Sequence, residues 1–271
     1  MDTEPGRRET AKRAESMTSD KLRIDVDVED RIHIVPLGYE RDRVIVPPRE
    51  MRADKVVLVT HARDDEGDVP EYYSDIYDAF EEVSIEVEET ECDIFDLYDA
   101  LGTIAGLIQQ FRHEDVHVNL ATGGKVTAIA GMIACMVTES AIPYYVSAEN
   151  YGDHQKTPVA QKVTNISNLP TYPINAPTRE QVQMLARIAY QGPISKQDLI
   201  RYAESEQLPF IADYESDEPK GKYRKLDAHI LNPLLDDGYV TSSEQGRKKM
   251  IDITPDGENT LHAFRYMLDL D

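Results

Sequence analysis

Val118-Asn-Leu-Ala-Thr-Gly-Gly-Lys-Val-Thr-Ala-Ile-Ala-Gly131 changes its hydrophobic period at the two glycines. Upstream, 116–120 reads as a short buried strand. Downstream, 126–137 is apolar nearly all round, as a helix laid on a sheet would be. Strand, Gly-Gly turn and buried helix make half of a βαβ unit, and the same alternation extends to both sides. Further strands are expected at 32–35, 55–60, about 87–94 and 143–146, with a weaker one around Val159, Val163 and Ile166. Tyr72, Ile76, Phe80 and Val83 form one helical stripe; Leu97, Leu101, Ile104, Ile108 and Phe111 form another at 4-3-4-3 spacing. Such alternation implies a Rossmann-like α/β domain over 31–167, its mostly parallel sheet covered on both faces with strand order 3-2-1-4-5.

Outward from this domain the pattern changes. Residues 1–30 are polar and aperiodic and read as a disordered tail, in which Leu22, Ile24, Val26 and Val28 alternate like a short strand. Residues 168–177 carry three prolines and no periodicity, a linker. Residues 178–271 then give three helices, a hairpin and a last helix. Thr178 to Gln181 and Ser195 to Asp198 have N-capping spacing, 220–235 is the third helix, with Pro233 expected to kink or break it, and Gly238 closes it. The hairpin is expected from 239–241 and 250–253 around a 242–246 turn, and Thr254-Pro255 opens the last helix. Helices in this order followed by a hairpin describe an α+β winged helix-turn-helix domain.

Composition narrows the functions. The 271 residues carry 51 acidic and 29 basic side chains, a formal charge of −22, while 41% hydrophobic content suffices for a core in each domain. Arg (17) exceeding Lys (12), with abundant Asp, fits an acidic halophile surface. The polar, charged N-terminus lacks a signal-peptide pattern and no apolar run reaches the ~20 residues of a membrane span, so a cytoplasmic protein is expected. Cys92 and Cys135 make no disulfide framework. His61, His113, His117 and His154 show no metal-ligand spacing, so neither metal nor cofactor is expected. The run Glu86, Glu88, Glu89, Glu91 and Asp93 reads as a solvated edge rather than paired catalytic carboxylates. No catalytic constellation can be defended from spacing, and a non-enzyme is expected.

Against that acidic background, seven of the 12 basic residues beyond position 170 fall in two runs. Lys220, Lys222, Arg224 and Lys225 lie on the expected recognition helix, where Tyr223, Leu226, Ile230 and Leu234 form the buried stripe. Lys222, Lys225 and His229 would share a face open to phosphates or base edges, and Arg247, Lys248 and Lys249 would form the wing tip. Double-stranded DNA is the expected partner. In the first domain the Gly-Gly turn exposes N–H groups at a helix start, with Thr122 and Lys125 adding a hydroxyl and a charge, an anion cradle in outline. It matches neither the P-loop nor the G-x-G-x-x-G pattern. In an open α/β sheet of order 3-2-1-4-5, the ligand crevice lies between the loop after strand 1 (Gly38, Tyr39) and the loop after strand 4 (Thr122, Gly123, Gly124, Lys125), and the family resemblance given below adds Asn119.

Two resemblances add to this reading. Leu226 through Val240, followed by Ile253-Thr-Pro-Asp-Gly257, resembles the recognition helix, Gly-Tyr-Val, wing and Thr-Pro-x-Gly order of winged-helix domains in prokaryotic transcription regulators. Asn119 through Thr127 resembles the Asn-x-x-x-Gly-Gly-x-Lys/Thr loop of CARF domains, the CRISPR-associated Rossmann fold, and residues 32–43 resemble their first strand and loop. The pairing is similar to archaeal CRISPR-locus transcription regulators. The resemblance implies a homodimer whose halves share a pocket for a cyclic oligonucleotide or another nucleotide, and hence a ligand-responsive transcription regulator. Two other functions stay open. One is a ring-nuclease-type enzyme using Thr122, Lys125 and His61, with no identifiable general base; the other is a DNA-binding dimer that senses nothing. Leu261, Phe264 and Leu268 on the last helix, and the 126–137 helix, are the expected dimer contacts.

Overall fold

The computed structural model describes residues 29–61, 72–151, 160–172, 174–212, 219–246 and 248–268. The tail reading of 1–28, its alternating strand and Arg247 lie outside the described residues. The first domain is a six-stranded sheet of β1 (Arg31–Pro36), β2 (Lys55–His61), β3 (Glu86–Cys92), β4 (Asp115–Asn119), β5 (Ile142–Tyr151) and β6 (Ala160–Asn168), in order β3-β2-β1-β4-β5-β6. The first five strands are parallel and β6 closes the sheet antiparallel to β5, with a register shift at Ser147/Ala148. The strand order predicted from the sequence is therefore the order found, with one edge strand added. The acidic run lies on β3, the other edge, where Lys55 bridges Glu86 at 2.8 Å and Glu88 at 3.3 Å. A charged edge discourages pairing with another chain.

Four helices cover this sheet: α1 (Asp42–Glu50), α2 (Tyr73–Glu81), α3 (Leu97–Gln110) and α4 (Lys125–Thr138). Ile32, Ile34, Val116 and Val118 point into one core with Ile104, Ile108, Ala130 and Ala134 of α3 and α4. Val35, Val56 and Leu58 point the other way, into a core with Val44, Ile76 and Phe80. Helix α1 was not among the expected elements, and Pro47 and Pro48 sit inside it. A proline in a helix leaves the carbonyl four residues earlier without its N–H. For Pro47 that carbonyl belongs to Arg43, and it accepts the side-chain amide of Asn119 at 2.9 Å.

The second domain runs α5 (Arg179–Gln191), β7 (Ile194–Ser195), α6 (Lys196–Ser205), α7 (Pro209–Ala212), α8 (Pro219–Leu226), a π-helical turn (Asp227–Leu231), α9 (Asn232–Asp236), β8 (Val240–Gln245), β9 (Lys248–Ile253), α10 (Pro255–Phe264) and a 3₁₀ turn (Arg265–Leu268). A three-stranded sheet of order β7-β9-β8 makes the wing, so the fold is a winged helix. The capping spacings act as read: Thr178 accepts from Gln181 N–H while the Gln181 side chain takes Thr178 N–H, and Ser195 and Thr254 cap α6 and α10. Pro233 does not break its helix. A π turn absorbs it, Asn232 N–H reaching Asp227 O, and the carbonyl of His229 that Pro233 leaves open accepts Gln181 Nε2 at 3.0 Å. The hairpin strands are longer than expected, so Ser242 to Gln245 belongs to β8.

The last helix has a different partner from the one its apolar stripe suggested. Ala263 and Phe264 are buried in the core of the first domain, and Leu261, Tyr266, Met267 and Leu268 pack around them. Contact is close because α3 presents Gly102 and Gly106: a Cβ at Gly102 would lie 3.1 Å from Ala263 O, and one at Gly106 3.3 Å from Tyr266 Cβ. Leu261 also touches the winged-helix core, so α10 clamps the two domains together within one chain. The expectation that Leu261, Phe264 and Leu268 form a dimer contact is corrected accordingly.

Candidate functional site

The loops after β1 and β4 meet at the carboxyl ends of the strands, on either side of the reversal in strand order, as open α/β sheets require. Gly38 and Gly123 bring them together: a Cβ at Gly38 would lie 2.9 Å from Gly123 Cα, and Gly123 itself has φ +72°. Tyr73 Oη donates to Gly38 O at 2.6 Å and fixes the first loop, whereas Tyr39 beside it is 54% exposed. In the second loop, Gly124 and Lys125 are exposed at the start of α4. Helix geometry leaves the N–H groups of Lys125, Val126 and Thr127 without intrahelical acceptors, while Gly124 N–H is already taken by Thr127 Oγ1 at 2.7 Å. Thr122 is buried and its Oγ1 has no partner among the described residues.

Two sequence expectations change here. Asn119 does not face a crevice: it is buried, its amide spent on Arg43 O and its carbonyl on Ala121 N–H, each at 2.9 Å. It shapes the loop by satisfying backbone groups. Gly123 N–H is likewise engaged, by the carboxylate of Glu40. Glu40 and Arg43 were given no role in the sequence reading, yet both are buried at the meeting of the loops, Arg43 reaching Ala121 O at 3.2 Å and lying over the Tyr145 ring. Burial pushes the Glu40 carboxyl up to about 7, against the opposing pull of backbone N–H groups and the Arg43 guanidinium. His61 sits at the end of β2, 3.7 Å from Asp93 and edge-on to Phe95.

Beneath the loops lies a polar layer that the strand alternation placed but did not explain. His33 and His117 stack at 5.1 Å across β1 and β4, and His33 Nδ1 is 3.0 Å from Tyr144 Oη. Burial, with His117 and Arg31 adding to it, lowers His33 to about 3. His33 thus stays neutral in the fold while the unfolded chain protonates near 6.5, so its contribution falls as pH drops from 6.5 towards 3. Glu40 has the opposite sign: the fold binds its proton near 7, the unfolded chain near 4.5, so stability rises on acidification between these values. Between 6.5 and 4.5 the two oppose each other. Glu40→Gln is therefore expected to show an acid-side loss of about 1.4 kcal/mol per pH unit that the unaltered protein largely lacks. Urea denaturation across that range at constant ionic strength measures it; equal slopes in both proteins would contradict the assignment.

On the winged helix the basic residues divide. Lys220, Arg224 and His229 are exposed, with Ala228 and Asn232 on the same outer surface. Lys222 instead pairs with Glu204 of α6 at 2.6 Å, so Lys222, Lys225 and His229, expected on one open face, differ in exposure, with His229 the exposed one. Lys225 is half-buried. Lys248 and Lys249 belong to strand β9 rather than to the tip, exposed, with Lys249 opposite Glu244 and Lys248 within the electrostatic reach of Asp198. Among the described residues no group of His, Cys, Asp and Glu could hold a metal ion, and no helix is long and apolar enough to cross a membrane.

Comparison with known proteins agrees with this two-part architecture. Residues 31–151 match the family model described as HFX_2341_N-like, N-terminal, and residues 180–265 match the DUF6293 C-terminal winged helix domain. Uncharacterized protein MJ1513 of Methanocaldococcus jannaschii is 29% identical over 155 residues, covering 52% of this chain and 46% of its own length. The chain thus spans about half the length of that curated relative. Among solved structures, Can2 from Sulfobacillus thermosulfidooxidans in complex with cyclic tetra-adenylate is 12% identical, with TM-score 0.36, covering 87% of this chain and 64% of that one. Enterococcus italicus Csm6 bound to cyclic hexa-2′-fluoro-hexa-dAMP is 13% identical, with TM-score 0.37, covering 78% and 55%.

Proposed function

From an HFX_2341_N-like domain joined to a DUF6293 winged helix as premise, we propose that this chain is a nucleotide-responsive, DNA-binding transcription regulator. The observation that carries the reading is the α10 clamp. One helix belongs at once to the winged-helix core and to the core under α3, and α3 packs against α4, whose N-terminus is the anion cradle. A ligand that shifts α4 therefore acts on a helix shared with the DNA-binding domain. Cyclic oligoadenylate is the effector proposed, and the active form is a homodimer. With the last helix engaged within the chain, the outer face of α4 is left for the partner, where Val126, Ile129, Ile133 and Met136 follow helical spacing and Ile129 is 54% exposed. Light scattering is expected to give twice the 30.7 kDa chain mass.

The test is DNA binding by the full chain, measured by anisotropy on duplexes from its own upstream region, with and without cyclic tetra-adenylate. Binding is expected, with an affinity change of at least about fivefold on adding the ligand. Failure to bind DNA, or an affinity indifferent to ligand, overturns the reading. Lys125→Ala is expected to weaken nucleotide binding about ten- to hundredfold, the worth of one charge-assisted contact, with stability unchanged because the side chain is exposed. Calorimetric titration beside thermal denaturation checks both halves. Lys249→Ala is expected to weaken all DNA sequences alike and to lower the log–log salt slope by about one; His229→Ala mainly blurs discrimination between sequences. A salt slope unaltered in Lys249→Ala removes the wing from the interface.

A further inference from the structure

We propose that Glu40 is a working part of the ligand site: a phosphate group seated on the N-terminus of α4 is met by the Glu40 carboxyl in its protonated form, so that the site takes up ligand and proton together. This rests on the reading of the cradle as an anion site and deepens it.

The geometry begins with the glycine pair. Gly38 and Gly123 leave a seam between the two loops, and Glu40 fills it, Oε2 lying 2.6 Å from where a Gly38 Cβ would stand. Glu40 is 7% exposed, and Oε2 has no hydrogen-bond partner among the described residues. A buried carboxylate oxygen without a partner carries a cost that a bound donor, or its own proton, removes. Thr122 Oγ1, also buried and without a partner among the described residues, lies three residues before Lys125, whose N–H is the first of the cradle. One site therefore holds a helix start suited to anions and a carboxylate that repels them. The two are compatible only if the carboxylate gives up its charge.

The charged and titratable surroundings favour that outcome. Arg43 of α1 is the cation facing Glu40, the Tyr39 and Tyr72 side chains lie nearby, Gly123 donates its N–H, and Lys125 stands exposed at the head of α4. With its carboxyl already held near 7, Glu40 needs only one more negative charge to stay protonated at neutral pH. A phosphodiester on the α4 N-terminus supplies that charge. Protonated, Glu40 turns from a competitor for Gly123 N–H into a donor towards a phosphate oxygen, and the N–H is released to the ligand.

Calorimetry of the full chain with cyclic tetra-adenylate, in buffers of different ionisation enthalpy, reads the proton count directly on the unaltered protein. Its phosphodiesters do not titrate between pH 6.5 and 8.5, so uptake belongs to the protein. The expected result is uptake of about half a proton per bound phosphate site at pH 7, rising to close to one by about pH 8, with an affinity that weakens by up to about tenfold per pH unit above 7. Glu40→Gln, which keeps the shape and removes the charge, is expected to bind without proton uptake and with no pH dependence. Uptake absent in the unaltered protein, or retained in Glu40→Gln, overturns the proposal. If cyclic tetra-adenylate does not bind at any pH, the effector reading falls, and inorganic sulfate, a non-titrating anion, tests the proton linkage by itself. Sulfate binding with Glu40-dependent uptake upholds the linkage, and no sulfate binding at millimolar concentration overturns it.

Discussion

Phe264→Ala is expected to destabilise the protein by about 3–5 kcal/mol and to separate the unfolding of its two domains. Phe264 is 9% exposed and lies in the core of the first domain although the chain reaches it only through the second. Removing the ring leaves a cavity that cannot readily close, because Gly102 already holds α3 against the α10 backbone and Gly106 holds it against Tyr266 of the turn that follows. Two transitions in chemical denaturation, where the unaltered protein shows one, would mark loss of the joint. The ligand's effect on DNA affinity should vanish while each domain keeps its own binding. If Phe264 instead served a partner chain, the variant would change mass in light scattering with little loss of stability, and the clamp would be wrong.

Gly257→Ala is expected to cost about 3 kcal/mol and to abolish DNA binding through loss of the winged-helix fold. A Cβ at this position would lie 2.0 Å from the carbonyl oxygen of Tyr239. That oxygen belongs to backbone, accepts the N–H of Thr254 at 3.0 Å, and cannot swing away as a side chain would. Gly257 N–H is also the group capped by Thr254 Oγ1 at 3.0 Å, so moving the helix start loses the cap as well. The comparison is Gly124→Ala, whose Cβ would have its nearest neighbour at 4.0 Å and is expected to change stability by less than about 0.5 kcal/mol. Urea denaturation followed by circular dichroism measures both. Equal stability of the two variants would refute the close-approach argument.

Prolines show where the reading of local sequence stops. Pro47 and Pro48 lie inside α1, and Pro233 was expected to kink or break its helix, because a proline removes an N–H and crowds a carbonyl. Both helices persist, since the freed carbonyls of Arg43 and His229 find side-chain amides from Asn119 and Gln181, 76 and 48 residues away in sequence. Asn119 was counted as a ligand contact through the resemblance of its loop to CARF domains, and its backbone partners, Arg43 O and Ala121 N–H, are visible only in the fold. Glu40 was passed over because a lone glutamate in a loop has no local mark. Only the meeting of Gly38 with Gly123 buries it and raises its proton affinity.

What the sequence determined by itself were the features carried by period and short-range chemistry. The alternation of strands and helices, the Gly-Gly turn opening α4, the capping residues Thr178, Ser195 and Thr254, and the succession of elements in the winged helix all depend on neighbours within a few residues. What the tertiary structure decided were the pairings between distant segments. The apolar face of α10 was legible, but hydrophobic burial has no direction and does not say which surface receives it. On α3 the small residues Gly102 and Gly106 admit the close approach of Ala263 and Tyr266 that seats it there.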